Sequence, residues 1–281
     1  MANYKTQAIE NLFNARWNPA TGTLTNPDVT LLDVVAEIEA YNATGPAKKI
    51  STRNPANFFK DFVRKLKAAN TAWPTSVFHN GYTGVQQTSG GRCFSFIPLP
   101  TGATTPFEPI VPTPPVVPLP VSTLQIPLLA RKMSRRDERW LMQVANRLQL
   151  IELHLSTNSP EDLNYVELLQ MGVKQNIAEI DGLYWGHTKR GKDVIITVEA
   201  KTSDDIYYGQ IVSQVLAVRN MKSLASIDID RVIPLAIKAI SKTGIFVAEF
   251  ESVKMTDPDP KTLGVVAESM IKLNPSLPKL V

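Results

Sequence analysis

The sequence predicts an α/β protein: a C-terminal domain whose mixed sheet is flanked by helices, preceded by a smaller, mainly helical domain. Three observations carry this expectation. The chain has 281 residues, long for one core and comfortable for two. A proline-dense stretch divides it near the middle. After that stretch, apolar periodicity alternates between helix and strand in the order helix, strand, strand, helix, strand, strand, helix.

The N-terminal part, 1–97, carries helical patterns at about 30–42 ("TLLDVVAEIEAYN") and 54–67 ("NPANFFKDFVRKLK"). In the second, Phe58, Phe59, Phe62, Val63 and Leu66 recur at helical spacing, whereas Lys60, Arg64 and Lys67 fall on the other side. One face is predicted to be core and the other basic. "YTGVQQTSGGRCFSFIPL" then reads as two short strands around "TSGG", a hairpin signal. Helices followed by a Gly-tipped hairpin predict a winged-helix-like domain.

Charge is distributed unevenly. Between Gly45 and Arg92 stand Lys48, Lys49, Arg53, Lys60, Arg64, Lys65, Lys67 and Arg92 against Asp61 alone. Cations on a helix are commonly just its solvated face. Here the helix, the preceding Arg53 and the hairpin-flanking Arg92 share one half of the chain with almost no acids, which predicts a polyanionic partner, double-stranded DNA. Arg53, Lys60, Arg64, Gln86 and Arg92 are the candidate contacts, with the lysines expected on phosphates.

Ten prolines and one charged residue, Glu108, lie between Ile97 and Ala130. Proline at this density supplies no donors for a helix or ladder, so 98–130 is expected to be a semi-rigid connector. The "PTPPVVP" within it superficially fits a PxxP docking motif, a pattern that is common by chance.

The domain at 131–281 opens with "SRRDERWLMQVANRLQLIELHL". Leu141, Val144, Leu148, Ile151 and Leu155 repeat at steps of three and four, predicting one amphipathic helix over 134–155 with Ser134 as N-cap. Strands are expected at 176–185, 193–199, about 231–237 and 244–250, a helix at "YYGQIVSQVLAVRNM", and a last helix near 260–272. In "ITVEAK", strand alternation puts Ile196, Val198 and Ala200 on one side and Thr197, Glu199 and Lys201 on the other. The short connection "GHTKRGKD" would fold "AEIDGLYW" back onto it and bring Asp181 beside Glu199.

Two adjacent carboxylates repel, and a divalent cation with oxygen ligands is one agent that neutralises them. A neighbouring lysine can hold a water or sense a phosphate oxygen. Phosphodiester hydrolysis needs such a set. Asp…Glu-x-Lys alone is common on exposed strands; three neighbours single this one out. The strands are otherwise apolar, Gln210 and Gln214 follow one turn apart on the next helix, and the preceding helix supplies Glu138 and Glu152.

"EIDGLYW…ITVEAK" resembles the PD-(D/E)xK nuclease core, with Ile180 standing where the motif has Pro. More closely, "SRRDERWLMQVANRLQLIELHL", "EIDGLYW" and "VEAK" followed by "GQIVSQV" are similar to bacterial type II restriction endonucleases, and "STRNPANFFKDFVRK…WPTSVFHNGYTG" looks like their accompanying DNA-binding domain. The resemblance implies that Asp181, Glu199 and the carbonyl of Ala200 bind Mg²⁺, that Lys201 orients the attacking water, and that products carry 5′-phosphates. Gln210 and Gln214 are further candidate DNA contacts, and by analogy with the family a homodimer and a cognate DNA methyltransferase in the same system are expected. Glu138, in an "ER" at the helix start, resembles the version in junction-resolving relatives; Glu152 lies closer in sequence to the strands, and both are retained. A structure-selective repair or junction nuclease and a non-catalytic DNA-binding regulator are the alternatives.

Other chemistries find little support. His79, His154 and His187 are scattered without an HExxH pattern and are expected to be structural, as are Trp140 and Trp185. Cys93 is the only cysteine, which excludes an intrachain disulfide and predicts a small buried hydrophobe. No GxxxxGK[ST] loop occurs, and "DPDP" at 257–260 lacks the spaced ligands of a calcium loop. No apolar run approaches the roughly 20 residues of a membrane span, and "MANYKTQAIENLF" lacks a signal-peptide core, so a cytoplasmic location is expected.

Overall fold

The computed structural model describes residues 4–59, 66–87, 91–99, 102–113, 117–175, 178–240, 244–260 and 262–280. The chain divides into two compact units, Met1–Pro109 and Ile110–Val281. No helix among the described residues is long and apolar enough to cross a membrane.

The first unit is mainly helical. The helix Tyr4–Asn14 buries Ala8, Ile9, Leu12 and Phe13, the spacing of one helical face. The helix Leu31–Ala43 starts at a reciprocal cap: Thr30 Oγ1 accepts from the Asp33 N–H at 3.1 Å, and Asp33 Oδ2 accepts from the Thr30 N–H at 2.8 Å. A short ribbon pairs strands β1 (Trp17–Asn18) and β2 (Thr23–Leu24). Strands β3 (Asp28–Thr30), β4 (Tyr82–Gln86) and β5 (Arg92–Pro98) form an antiparallel sheet in the order β3-β5-β4. The core is aromatic: Phe59 stacks on Phe94 at 4.6 Å, and Trp73 meets Phe59, Phe96 and Phe107 edge-on. Cys93 is buried, and burial pushes its thiol up to about 11.

Of the helix expected at 54–67, residues 57–59 are helical, and a further helix runs Leu66–Ala72. Lys60 and Arg64 lie outside the described residues, as do 88–90 of the expected hairpin tip.

The second unit is mixed α/β, an eight-stranded mixed sheet flanked by helices. Its strands are β6 (Pro118–Ser122), β7 (Leu163–Lys174), β8 (Glu179–Thr188), β9 (Asp193–Lys201), β10 (Ile229–Ile240), β11 (Gly244–Phe250), β12 (Val253–Lys254) and β13 (Val265–Asn274). The order is β6-β13-β11-β10-β9-β8-β7, with β12 beside β10. β9 and β10 run parallel, joined through the helix Tyr208–Arg219; β7, β8 and β9 form an antiparallel meander.

Helices cover both faces, so β9 is buried along nearly its whole length. On one face Leu141, Val144, Ile151 and Leu155 pack with Ile196, Val198 and Ala200. On the other, Ile211, Val215 and Val218 pack with Ile195, Val232 and Phe246. Glu199 and Lys201 thereby project toward the 208–219 helix.

Four expectations are corrected. The stretch 98–130 is not a free connector: Phe107 packs into the first unit, Ile110 into the second, and Pro118–Ser122 forms edge strand β6, parallel to β13. An edge tolerates Pro118 and Pro120 because their missing N–H groups remove no partner on the open side. The helix expected over 134–155 is two, Glu138–Arg147 and Leu150–Thr157, broken where Gln149 adopts φ 53°. Its N-cap is Asp137, not Ser134; Asp137 Oδ1 accepts from the Trp140 N–H at 2.8 Å. The helix expected near 260–272 is strand β13, because β11 presents a ladder edge that β-branched Val265, Val266 and Ile271 can complete.

Candidate active site

The site forms where the start of β8 meets the end of β9. Gly182 pairs with Val198 in the antiparallel register, so Asp181 and Glu199 follow as neighbours on the same face. Asp181 Oδ2 accepts a hydrogen bond from the Ala200 N–H at 2.8 Å, which fixes the carboxylate over the β9 backbone. Lys201 Nζ lies 2.7 Å from Glu199 Oε1. The three charges expected from the sequence are one cluster.

Glu199 is buried, 6% exposed, yet each of its carboxylate oxygens has a protein donor. Gln210 Nε2 donates to Oε1 at 3.0 Å, and Gln214 Nε2 donates to Oε2 at 2.5 Å. Both glutamines come from the 208–219 helix. They act on Glu199, and Gln214, 1% exposed, has no access to solvent from which to touch DNA.

Burial pushes Glu199 up to about 7; Lys201 opposes this and the Asp181 charge adds to it. Asp181 is also displaced upward by burial, against the Ala200 hydrogen bond and the Lys201 charge. Burial pulls the Lys201 ammonium down, but Glu199 and Asp181 more than offset it, leaving it firmly protonated. The free site therefore holds more protons near neutrality than exposed side chains would.

Glu138 and Glu152 separate here. Glu138, in the first turn of the 138–147 helix, adds its field to both Asp181 and Lys201. Glu152 lies elsewhere: its charge acts on Tyr184, burial pushes its carboxyl up, and its Oε2 is buried without a partner among the described residues.

Two further groups reach the cluster without a sequence signal. Tyr207, at the N-cap of the 208–219 helix, is pushed up to about 12 by burial and the Glu199 charge. β10 brings Lys238 into register with Lys201, where Asp205 holds its ammonium at 2.5 Å. Parallel pairing with β10 could not be read from local pattern.

The donor set fits Mg²⁺. The described residues contain no group of three or more His, Cys, Asp and Glu side chains gathered for a metal. Mg²⁺ commonly takes only one or two carboxylates and keeps several waters. Asp181, Glu199 and the Ala200 carbonyl are hard oxygen donors. Asp181 Oδ1 has no protein donor among the described residues, and Glu199 Oε2 accepts one hydrogen bond where a carboxylate oxygen can accept two.

Among the other candidate contacts, Arg53 is exposed. Gln86 sits in β4 opposite Phe94. Arg92 Nη1 lies 3.3 Å from Asp28 Oδ2, so its charge is partly answered within the sheet. The histidines include a buried network: His154 Nδ1 is 2.7 Å from Ser269 Oγ and its Nε2 is 3.1 Å from Glu249 Oε2. All three residues are fully buried, which suits a structural role and closes them to substrate. Comparison with protein-family models, with curated proteins and with solved structures finds no match to this chain.

Proposed function

We propose that this protein is a Mg²⁺-dependent endonuclease of the PD-(D/E)xK type that hydrolyses phosphodiesters of double-stranded DNA at specific sites and leaves 5′-phosphates. The observation that carries the reading is the gathering of Asp181, Glu199 and Lys201 at adjoining strand ends. Asp181, Glu199 and the Ala200 carbonyl would hold the cation; when bound, Mg²⁺ polarises the phosphorus–oxygen bonds and acidifies a water. Lys201 Nζ, kept protonated by its two carboxylate neighbours, donates to the attacking water and orients its lone pair. Gln210 and Gln214 hold Glu199 in place. The element order from Glu138 to Ile240, two helices, three strands, a helix with a short 3-10 turn after it, and a strand, supports the same reading.

In this proposal the N-terminal unit is a winged-helix-like DNA-binding domain, supported by exposed Arg53 and the β4–β5 hairpin. A homodimer follows from palindromic cutting, which favours two symmetric sites. A cognate methyltransferase would protect the host, and the cytoplasm is the matching location.

Purified protein incubated with unmethylated phage DNA, with Mg²⁺ or EDTA, beside Lys201→Ala and Asp181→Ala, tests the reading. Discrete bands that require Mg²⁺ and vanish in both variants are expected. Intact DNA in every lane with binding preserved would leave the cluster structural and make the protein a DNA-binding regulator. Both Glu199 oxygens being engaged by protein donors is the observation that favours this second reading. Cleavage of branched substrates alone would point to a junction nuclease, the class whose helix glutamate Glu138 resembles.

A further inference from the structure

The segment entering the site, "RKMSRRDERW" at 131–140, is the most cationic stretch of the second unit, with Arg131, Lys132, Arg135, Arg136 and Arg139 against Asp137 and Glu138. Of its acids, Asp137 caps the 138–147 helix, and Glu138 stands in the first turn of that helix, half-buried. Lys132, Arg135, Arg136 and Arg139 are exposed, and none of them is in an ion pair among the described residues. Arg131 Nε donates to the Ile126 carbonyl at 3.0 Å, and exposed Lys279 donates to the Ser134 carbonyl at 3.0 Å. The segment is thus pinned at both ends of its first half, and Lys279 adds a further positive charge.

We propose that Arg135, Arg136 and Arg139 grip the DNA phosphates on either side of the scissile one, giving the second unit its own duplex contact, independent of the N-terminal unit. This rests on the nuclease reading for the position of the scissile phosphate. Met142, one turn after Glu138 on the same face of the helix, packs directly against Gly182, the neighbour of Asp181, so the start of this helix and the residues flanking Glu138 border the place where that phosphate must lie. Five residues span at most roughly 17 Å, a length over which duplex DNA offers several phosphates. Guanidinium suits the task because its planar fork engages phosphate oxygens two at a time. These arginines fall outside the basic excess of 45–92.

The test is duplex binding by the full chain, followed by fluorescence anisotropy of a labelled 30-base-pair DNA in EDTA over a range of salt. One variant is Arg135→Ala/Arg136→Ala/Arg139→Ala. A control, Lys189→Ala/Arg190→Ala/Lys192→Ala, removes the same three charges at the β8–β9 turn, the opposite end of the strands that carry the site. The arginine variant is expected to bind about 10- to 100-fold more weakly and to lose two to three units of log–log salt slope, at roughly 0.9 per phosphate contact. The control should stay within about twofold of wild type, and Arg→Lys at the same three positions should restore the slope. Equal weakening in both triple variants, an unchanged slope in the arginine variant, or no duplex binding by wild type overturns the proposal.

Parallel Mg²⁺ digests separate the two ideas. Cleavage by wild type together with equal slopes removes the grip and leaves the nuclease. A slope change without cleavage in any lane keeps the grip as a DNA contact and removes the nuclease.

Discussion

Gln214 donates its side-chain amide to Glu199 Oε2 at 2.5 Å, while its own carbonyl oxygen is buried without a partner among the described residues. A buried glutamine left half-satisfied in this way is held there by the carboxylate it serves. Replacing it removes a donor that water cannot readily replace. Gln214→Ala should destabilise the protein by about 1–3 kcal/mol at pH 8, where Glu199 is ionised. The loss should be smaller at pH 5.5, where the carboxyl is protonated. Urea unfolding at the two pH values measures this; an equal loss at both would mean that Gln214 acts by packing alone.

The pH dependence of the metal-free protein follows from Glu199. Its carboxyl ionises near 4.5 when unperturbed and at about 7 in the fold. Below 4.5 both folded and unfolded chains carry the proton and its stabilising contribution is complete. Between 4.5 and 7 only the folded chain holds it, so that contribution is lost as pH rises through 7. The swing is on the order of 3 kcal/mol. Asp181, also displaced upward, acts in the same direction. Thermal unfolding of Glu199→Gln without metal should show a flatter profile from pH 5 to 8 than wild type. A wild-type profile that rises over this interval would mean that Glu199 is ionised throughout.

How much of this was legible depends on whether a residue's partners are local. Strand alternation in "ITVEAK" and the short turn after "AEIDGLYW" suffice to pair Asp181 with Glu199, since an antiparallel hairpin is a local structure. The 208–219 helix was readable for the same reason. β7 is not legible, because eight of its twelve residues are exposed on the sheet edge and carry little apolar alternation. The local pattern of 260–272 favours a helix and the structure makes it strand β13, because the pairing with β11 and β6 that decides it joins segments far apart in sequence. The choice between Glu138 and Glu152 requires a packed structure, since both lie near one apolar seam and only packing shows that the Glu152 charge bears on Tyr184 and not on Asp181 or Lys201.

The buried His154, Glu249 and Ser269 network ties the 150–157 helix to β11 and β13. Ser159 Oγ also donates to Glu249 Oε1 at 2.8 Å. Glu249→Ala should cost about 2–4 kcal/mol, because it strands the fully buried His154 ring and removes the acceptor of the half-buried Ser159 hydroxyl. Duplex affinity at a temperature where the variant is folded should match wild type. A fall in affinity exceeding the unfolded fraction would mean that the network also shapes the DNA surface.

Within the first unit, a Cβ on Gly84 would stand 2.7 Å from the Phe59 ring and 2.8 Å from the Trp73 ring. Neither ring can retreat, since Phe59 stacks on Phe94 and Trp73 packs against Phe107. Gly84→Ala should therefore destabilise this unit by about 1–3 kcal/mol through overpacking. Calorimetry should show the loss in the transition of the first unit; unchanged unfolding would mean that the aromatic core has slack.

Metal binding offers a test of the site that does not depend on turnover. Mg²⁺ needs Glu199 and Asp181 ionised, yet the free site holds Glu199 partly protonated near neutrality, and burial displaces Asp181 in the same direction. Binding must then expel protons, and affinity must rise with pH until both carboxyls are free. Calorimetric titration at pH 6.5 in two buffers of different ionisation enthalpy should report release of about one proton per Mg²⁺, falling toward zero by pH 8.5. Asp181→Asn removes a ligand and should abolish the heat. Lys201→Ala removes a competing cation, so its site should bind Mg²⁺ at least as tightly as wild type while losing any hydrolytic activity. Binding that releases no protons and survives Asp181→Asn would place the metal elsewhere and leave this cluster without its assigned role.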